Sequence, residues 1–190
     1  MGIEIFDYTK SDRAERLWAI LKPRLKPEMK VLDVGCGNAP IAHYAYRDFP
    51  GISWTGFDNH GPMIEEMKKA YPTGRWLYAH YPDVFDKSLR AAFDAVIHIG
   101  VDKEEFSPIC NFHKEIVKAE HKPAVVLLEA GYAEEYQGPY NAYCKAMAAY
   151  LMSGKYDIAA SGRFPFDVAG HHLKERIWSV LRRKAEAPAC

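Results

Sequence analysis

The chain has 190 residues, 48% of them hydrophobic, and 25 basic residues balance 25 acidic ones. That length supports one domain with a core large enough to fold without staples, and the neutral balance excludes a field that would pull the chain onto nucleic acid or an anionic membrane. Cys36, Cys110, Cys144 and Cys190 are scattered with no C-x-x-C pair, which argues against a disulfide framework or a zinc site and for a reducing compartment, the cytoplasm.

"MGIEIFDYTKSDRAERLW" is charged from Glu4 onward, and no segment approaches the roughly 18 apolar residues of a spanning helix. In chain order, "SDRAERLWAILKPRL" predicts a helix capped by Ser11 or Asp12, with an apolar stripe at Leu17, Ile20 and Leu21 and stops at Pro23 and Pro27. A strand follows from Met29 to Val34, then a helix from Pro40 to Asp48 with proline in its first turn. "ISWTGFD" predicts a second strand, "PMIEEMKKAY" a short helix, "RWLYAH" a third strand, "FDAVIHIG" a fourth, "SPICNFHKEIVKAEH" a helix and "AVVLLEA" a fifth strand. After the helix "YNAYCKAMAAYLMSG", closed by Gly154, "YDIAASGRF" and "KERIWSVLRRK" are joined without room for a helix, so they form a hairpin. The alternation implies an α/β fold: a doubly wound, mostly parallel seven-stranded sheet with a C-terminal antiparallel hairpin and helices on both faces. One domain is expected over 1–190, with a helical segment at 1–28, a Rossmann-like core at 29–184 and a tail at 185–190.

In such a sheet a ligand lies at the carboxyl ends of the strands, beside the first strand. "VLDVGCGNAP" puts Asp33, Gly35, Cys36 and Gly37 there, and Asp58 ends the second strand, where a carboxylate accepts hydrogen bonds from ribose hydroxyls. A dinucleotide turn wants a third glycine where Pro40 stands, and Asp33 would set a carboxylate near a diphosphate. A ligand with a cationic amino-acid end suits that aspartate better, which disfavours a nicotinamide-dependent oxidoreductase.

With "GFD" at the second strand end and "FDAVIHIG" further on, "VLDVGCG" resembles the class I S-adenosylmethionine-dependent methyltransferases over Ser11 to Lys184. The resemblance implies S-adenosyl-L-methionine as cofactor, with Asp33, Gly35 and Gly37, and Cys36 between them, around the methionine part. It puts Asp58 on the ribose and Asn59 beside the adenine. His80 stands where that family usually has an acidic residue facing the adenine amino group.

Methyl transfer is an in-line displacement in which positioning supplies much of the catalysis. His98, at the end of the fourth strand, is the candidate base and also borders the cofactor; Asp102 is a second catalytic candidate. "GVDKEEF" faintly resembles a stretch of metal-dependent catechol-type enzymes, which would make Glu129 a second oxygen ligand, but the register is off and no metal is expected. Tyr132, Tyr136 and Tyr140, in "EAGYAEEYQGPYNAY", and His171, in "FPFDVAGHH", are candidates to line the acceptor site. No base-flipping loop or basic track is present, so a small-molecule acceptor is the expected partner. An RNA or protein acceptor, or a non-catalytic partner subunit with the same fold, are the alternatives, and no membrane partner is expected.

Overall fold

A computed structural model describes residues 12–79, 93–100, 106–132, 138–165 and 175–185. Its strands are β1 (Lys30–Val34), β2 (Ser53–Asp58), β3 (Arg75–Tyr78), β4 (Ala95–Ile99), β5 (Val125–Tyr132), β6 (Tyr156–Pro165) and β7 (Glu175–Arg183). They form one seven-stranded sheet in the order β3-β2-β1-β4-β5-β7-β6. The first five strands of that order pair in parallel, and β7 runs antiparallel to both β5 and β6. The order reverses beside β1, between β1 and β4, which is where an open α/β sheet leaves a crevice at its carboxyl edge.

The described helices are α1 (Arg13–Leu21), α2 (Pro40–Asp48), α3 (Gly61–Ala70), α4 (Phe106–Lys118) and α5 (Gly138–Met152). Side chains alternate across a strand, so each strand feeds two cores. Val31, Trp54, Ile97 and Leu127 pack with α1, α2 and α3 on one face. Leu32, Val34, Phe57, Val96 and Leu128 pack with α4 and α5 on the other. Both faces are covered, which is why β1, β4 and β5 read as continuous apolar runs.

Helix α1 departs from its expected stripe. Arg13, Ala14, Leu17, Trp18 and Leu21 are its buried residues, whereas Ile20 is only half-buried. The face turns because Trp18 donates its indole N–H to Asp48 at 2.8 Å and packs edge-on against Phe49. Asp12 precedes the helix without a side-chain capping bond. A short 3-10 turn at Lys22–Arg24, carrying Pro23, ends the segment. The strand and helix bounds otherwise fall within a few residues of those expected, β5 running two residues further, to Tyr132. Among the described residues no helix is long and apolar enough to cross a membrane.

Candidate cofactor and acceptor site

The turn after β1 is built from backbone that few side chains tolerate. Gly35 and Gly37 have φ of 63° and 52°, and Ala39 follows with φ of 44°. A Cβ at Gly37 would meet nothing closer than 3.7 Å, so glycine stands there for its left-handed backbone rather than for space. The loop closes with Cys36 N–H donating to the Phe57 carbonyl at 3.0 Å and Ala39 N–H donating to the Cys36 carbonyl at 2.7 Å. Pro40 then opens α2 in its first turn.

Asp58 ties this turn to β2. One carboxylate oxygen accepts from Gly37 N–H at 2.9 Å and the other from His60 N–H at 2.8 Å. Helix α3 is capped by His60 instead, whose ring accepts from Met63 N–H at 3.4 Å, so Asp58 is not its cap. Each carboxylate oxygen keeps a further lone pair, which leaves Asp58 able to accept from a ligand hydroxyl.

Asp33 lies in register with Gly56 of β2, on the same sheet face as Trp54 and Asp58. It is 4% exposed, and its one described side-chain partner is the Trp54 indole N–H at 3.2 Å. Burial pushes its carboxyl up to about 7; the Trp54 bond opposes that shift and the charge of Asp58 adds to it. Cys36 is buried against Gly56, where an added Cβ would sit 2.9 Å from its sulfur and 2.5 Å from Trp76. Burial, with the charges of Asp33 and Asp58, holds that thiol protonated. Cys36 therefore faces inward, and its contribution is to pack the turn onto β2.

These residues fit S-adenosylmethionine. Two carboxylates share one face at the carboxyl ends of β1 and β2, glycine backbone lies between them, and the buried Asn38 side-chain oxygen has no hydrogen-bond partner among the described residues. An ammonium and hydroxyls are the donors such a set lacks. Asn38 carries no signal of its own in the sequence, because an orphaned oxygen exists only once the turn is folded.

His98 stands elsewhere. It is in register with Val34 and Leu128 and faces α4 and α5, across the sheet from Asp33. Its Nδ1 meets His113 Nε2 at 2.9 Å, and His113 Nδ1 meets the Tyr150 hydroxyl at 2.9 Å. Burial lowers His98 to about 4, and burial with the neighbouring His98 holds His113 well below the ordinary imidazole value, so both are neutral at pH 7.

On the opposite face, at the end of β4 and β5, Arg13 of α1 pairs with Glu129 at 2.5 Å and lies over Gly100. Arg176 of β7 approaches the other Glu129 oxygen at 3.5 Å. All three are buried. Glu129 is thus held by guanidinium groups, and the described residues contain no cluster of three or more side chains suited to a metal ion. Arg13 falls one helical turn before Leu17, on the face α1 buries; that spacing is the sequence signal for it, masked by the charge of the side chain.

Tyr132 and Tyr140 meet edge-on beyond β5, with centroids 5.4 Å apart, and the Arg163 guanidinium lies 6.0 Å from the Tyr132 ring centre. Tyr143, one helical turn from Tyr140, turns its hydroxyl into the core, 2.6 Å from Ser179 of β7. Asn59 follows Asp58 directly at the end of β2. His80, Asp102, Tyr136 and His171 lie outside the described residues.

No protein-family model and no curated protein matches the sequence. Solved structures do. A precorrin-6y C5,15-methyltransferase from Geobacter metallireducens is similar with a TM-score of 0.64, 14% identity, and 97% of this chain and 93% of that one covered. The methyltransferase domain of a bacterial Hen1 matches with a TM-score of 0.64 and 14% identity over 90% of this chain and 97% of that one. A TehB-like SAM-dependent methyltransferase from Corynebacterium glutamicum matches with a TM-score of 0.56 and 18% identity over 88% and 86%. The chain has the class I methyltransferase fold. At these identities the likeness carries the fold; the reading of the site rests on the chain's own residues.

Proposed function

We propose that the chain is an S-adenosylmethionine-dependent methyltransferase that acts on an oxygen, nitrogen or sulfur nucleophile of a small molecule. The observation that carries this reading is the buried Asp33 beside the Asp58-pinned glycine turn, on one face at the carboxyl ends of adjacent strands. A carboxylate pushed up to about 7 is a costly feature that an ammonium partner would relieve. When bound, the cofactor supplies a methyl group on a positively charged sulfur.

Asp33 would hold the amino end, Asp58 the ribose hydroxyls and Asn59 the adenine side, while the turn from Gly35 to Gly37 lets the backbone come close. Pro40, which lacks an N–H, removes a donor that a diphosphate would use at the start of α2, and this supports S-adenosylmethionine over a dinucleotide. Tyr132 and Tyr140 supply an aromatic wall beyond β5 for a flat or cationic acceptor, and His98 marks the end of β4 between the two regions.

Isothermal titration with S-adenosylhomocysteine, using NAD as the control, tests the reading. Binding to the first alone is expected; binding to neither ligand, or to NAD alone, overturns it. Asp58→Ala is expected to weaken S-adenosylhomocysteine by ~1.5–3 kcal/mol, the worth of hydrogen bonds to a charged group. The same change frees Gly37 and His60 N–H, so a looser turn adds to the loss. A mixed panel of phenols, amines and thiols then identifies the acceptor, and turnover only on total RNA or a protein extract would replace the small-molecule class.

A further inference from the structure

His98, His113 and Tyr150 form a buried chain on the sheet face opposite Asp33. His113 and Tyr150 are fully buried and His98 is 8% exposed. The free end of the chain, His98 Nε2, is buried and has no hydrogen-bond partner among the described residues.

A neutral imidazole carries one hydrogen, so the two links must point the same way along the chain. In one direction the Tyr150 hydroxyl donates to His113 Nδ1, His113 Nε2 donates to His98 Nδ1, and His98 bears its hydrogen on Nε2. In the other direction His98 donates to His113, His113 donates to Tyr150, and His98 Nε2 presents a lone pair. Tyr150 then holds a hydrogen that no described acceptor receives.

Either direction leaves one buried donor unpaired among the described residues, which costs the desolvation of that group. The difference is where the unpaired donor sits. In the second direction it lies inside the core, where Tyr150 packs edge-on against Tyr156 with centroids 5.0 Å apart. Tyr150 has no exposed surface there. In the first direction it lies on His98, at the carboxyl end of β4, the edge of the sheet where ligands of this fold class bind. Only the first direction can be completed from outside the core, by solvent in the free protein or by a ligand in the complex, because His98 keeps some exposed surface and Tyr150 has none.

We propose that Tyr150 and His113 are positioning residues that hold the hydrogen of His98 on Nε2, so that the site offers the methyl-accepting molecule an uncharged donor for an oxygen or ring-nitrogen lone pair. The proposal rests on the methyltransferase reading for its substrate and on the core geometry alone for its tautomer. A carbonyl, ether or hydroxyl oxygen fits this donor; an alkylammonium, which has only donors, does not. His98 in this state orients the acceptor and is not its base, because a base needs the lone pair on Nε2.

The test is a long-range proton–nitrogen correlation spectrum of the 15N-labelled protein near pH 7, with the His98 signals assigned by their loss in His98→Gln. The expected pattern has a protonated Nε2 and an unprotonated Nδ1 on His98. The reverse pattern, or an average of the two, overturns the inference. No cofactor or substrate is needed, so a failure to bind S-adenosylhomocysteine sinks the methyltransferase reading and leaves this result standing. With the acceptor found by the panel, His98→Gln still donates from near the Nε2 position but cannot act as a base. It is expected to raise KM while kcat stays within about tenfold of the parent value. If kcat instead drops by about two orders of magnitude or more, the scale of a lost general base, the donor role is overturned.

Discussion

Replacing Glu129 with leucine is expected to destabilise the protein by about 3–5 kcal/mol, the scale of a buried ion pair that loses one side. Glu129 is the carboxylate that Arg13 and Arg176 share on the face of α1, and all three are buried. Leucine fills much of the volume but leaves two guanidinium groups without this counter-charge. The effect also reaches the first helix, because Arg13 runs from α1 across Gly100 to β5. The comparison is Glu175→Ala in the exposed pair with Arg163, 3.4 Å apart, which is expected to cost less than about 1 kcal/mol. Urea unfolding of both variants at unchanged slope decides it. Equal, small losses would mean that the buried cluster contributes little beyond its packing.

Asp33 is expected to couple cofactor binding to pH. Its folded carboxyl is raised from an ordinary 3.8 to about 7. Below pH 4 both folded and unfolded chains hold the proton and the group contributes nothing. Between about 4 and 7 the unfolded chain ionises while the folded one keeps its proton, so stability falls as pH rises, and above 7 the cost is constant. That displacement corresponds to a cost of about 4 kcal/mol. Asp33→Asn keeps an acceptor for the Trp54 indole and removes the charge. The variant is therefore expected to be more stable than the parent at pH 8 and of similar stability at pH 4.

Binding a cationic amino group favours the ionised aspartate and reverses that order. S-adenosylhomocysteine affinity should rise up to tenfold per pH unit from pH 5 to 7 and level off above, with a proton released on binding. In Asp33→Asn the affinity should be weaker and the slope absent. A parent affinity independent of pH would show that Asp33 does not meet the ligand's charge.

The sequence by itself determined the alternation of strands and helices, because apolar runs of strand length and amphipathic stretches report local periodicity. It also determined the turn. Gly35 and Gly37 are where the backbone adopts left-handed angles, Pro40 opens α2, and Gly154 follows α5 with φ of 70°. Asp33 and Asp58 were legible as a pair because each ends or nearly ends a strand, and parallel pairing brings strand ends together. The fold class followed from those signals.

Only the tertiary structure decided which faces meet. The α1 stripe expected to run through Ile20 turns onto Arg13 and Trp18, since the partners that choose the face, Asp48 and Glu129, are distant in the chain. The sheet sets β4 beside β1, yet strand alternation puts His98 and Asp33 on opposite faces, and the histidine's partners arrive from α4 and α5. Cys36 sits inside the glycine motif but turns onto Gly56, a contact between strands that no local pattern encodes. Periodicity fixes what a segment becomes; the burial of charge and the direction of a hydrogen-bond chain depend on side chains brought together from far apart, and these are what define the chemistry at the strand ends.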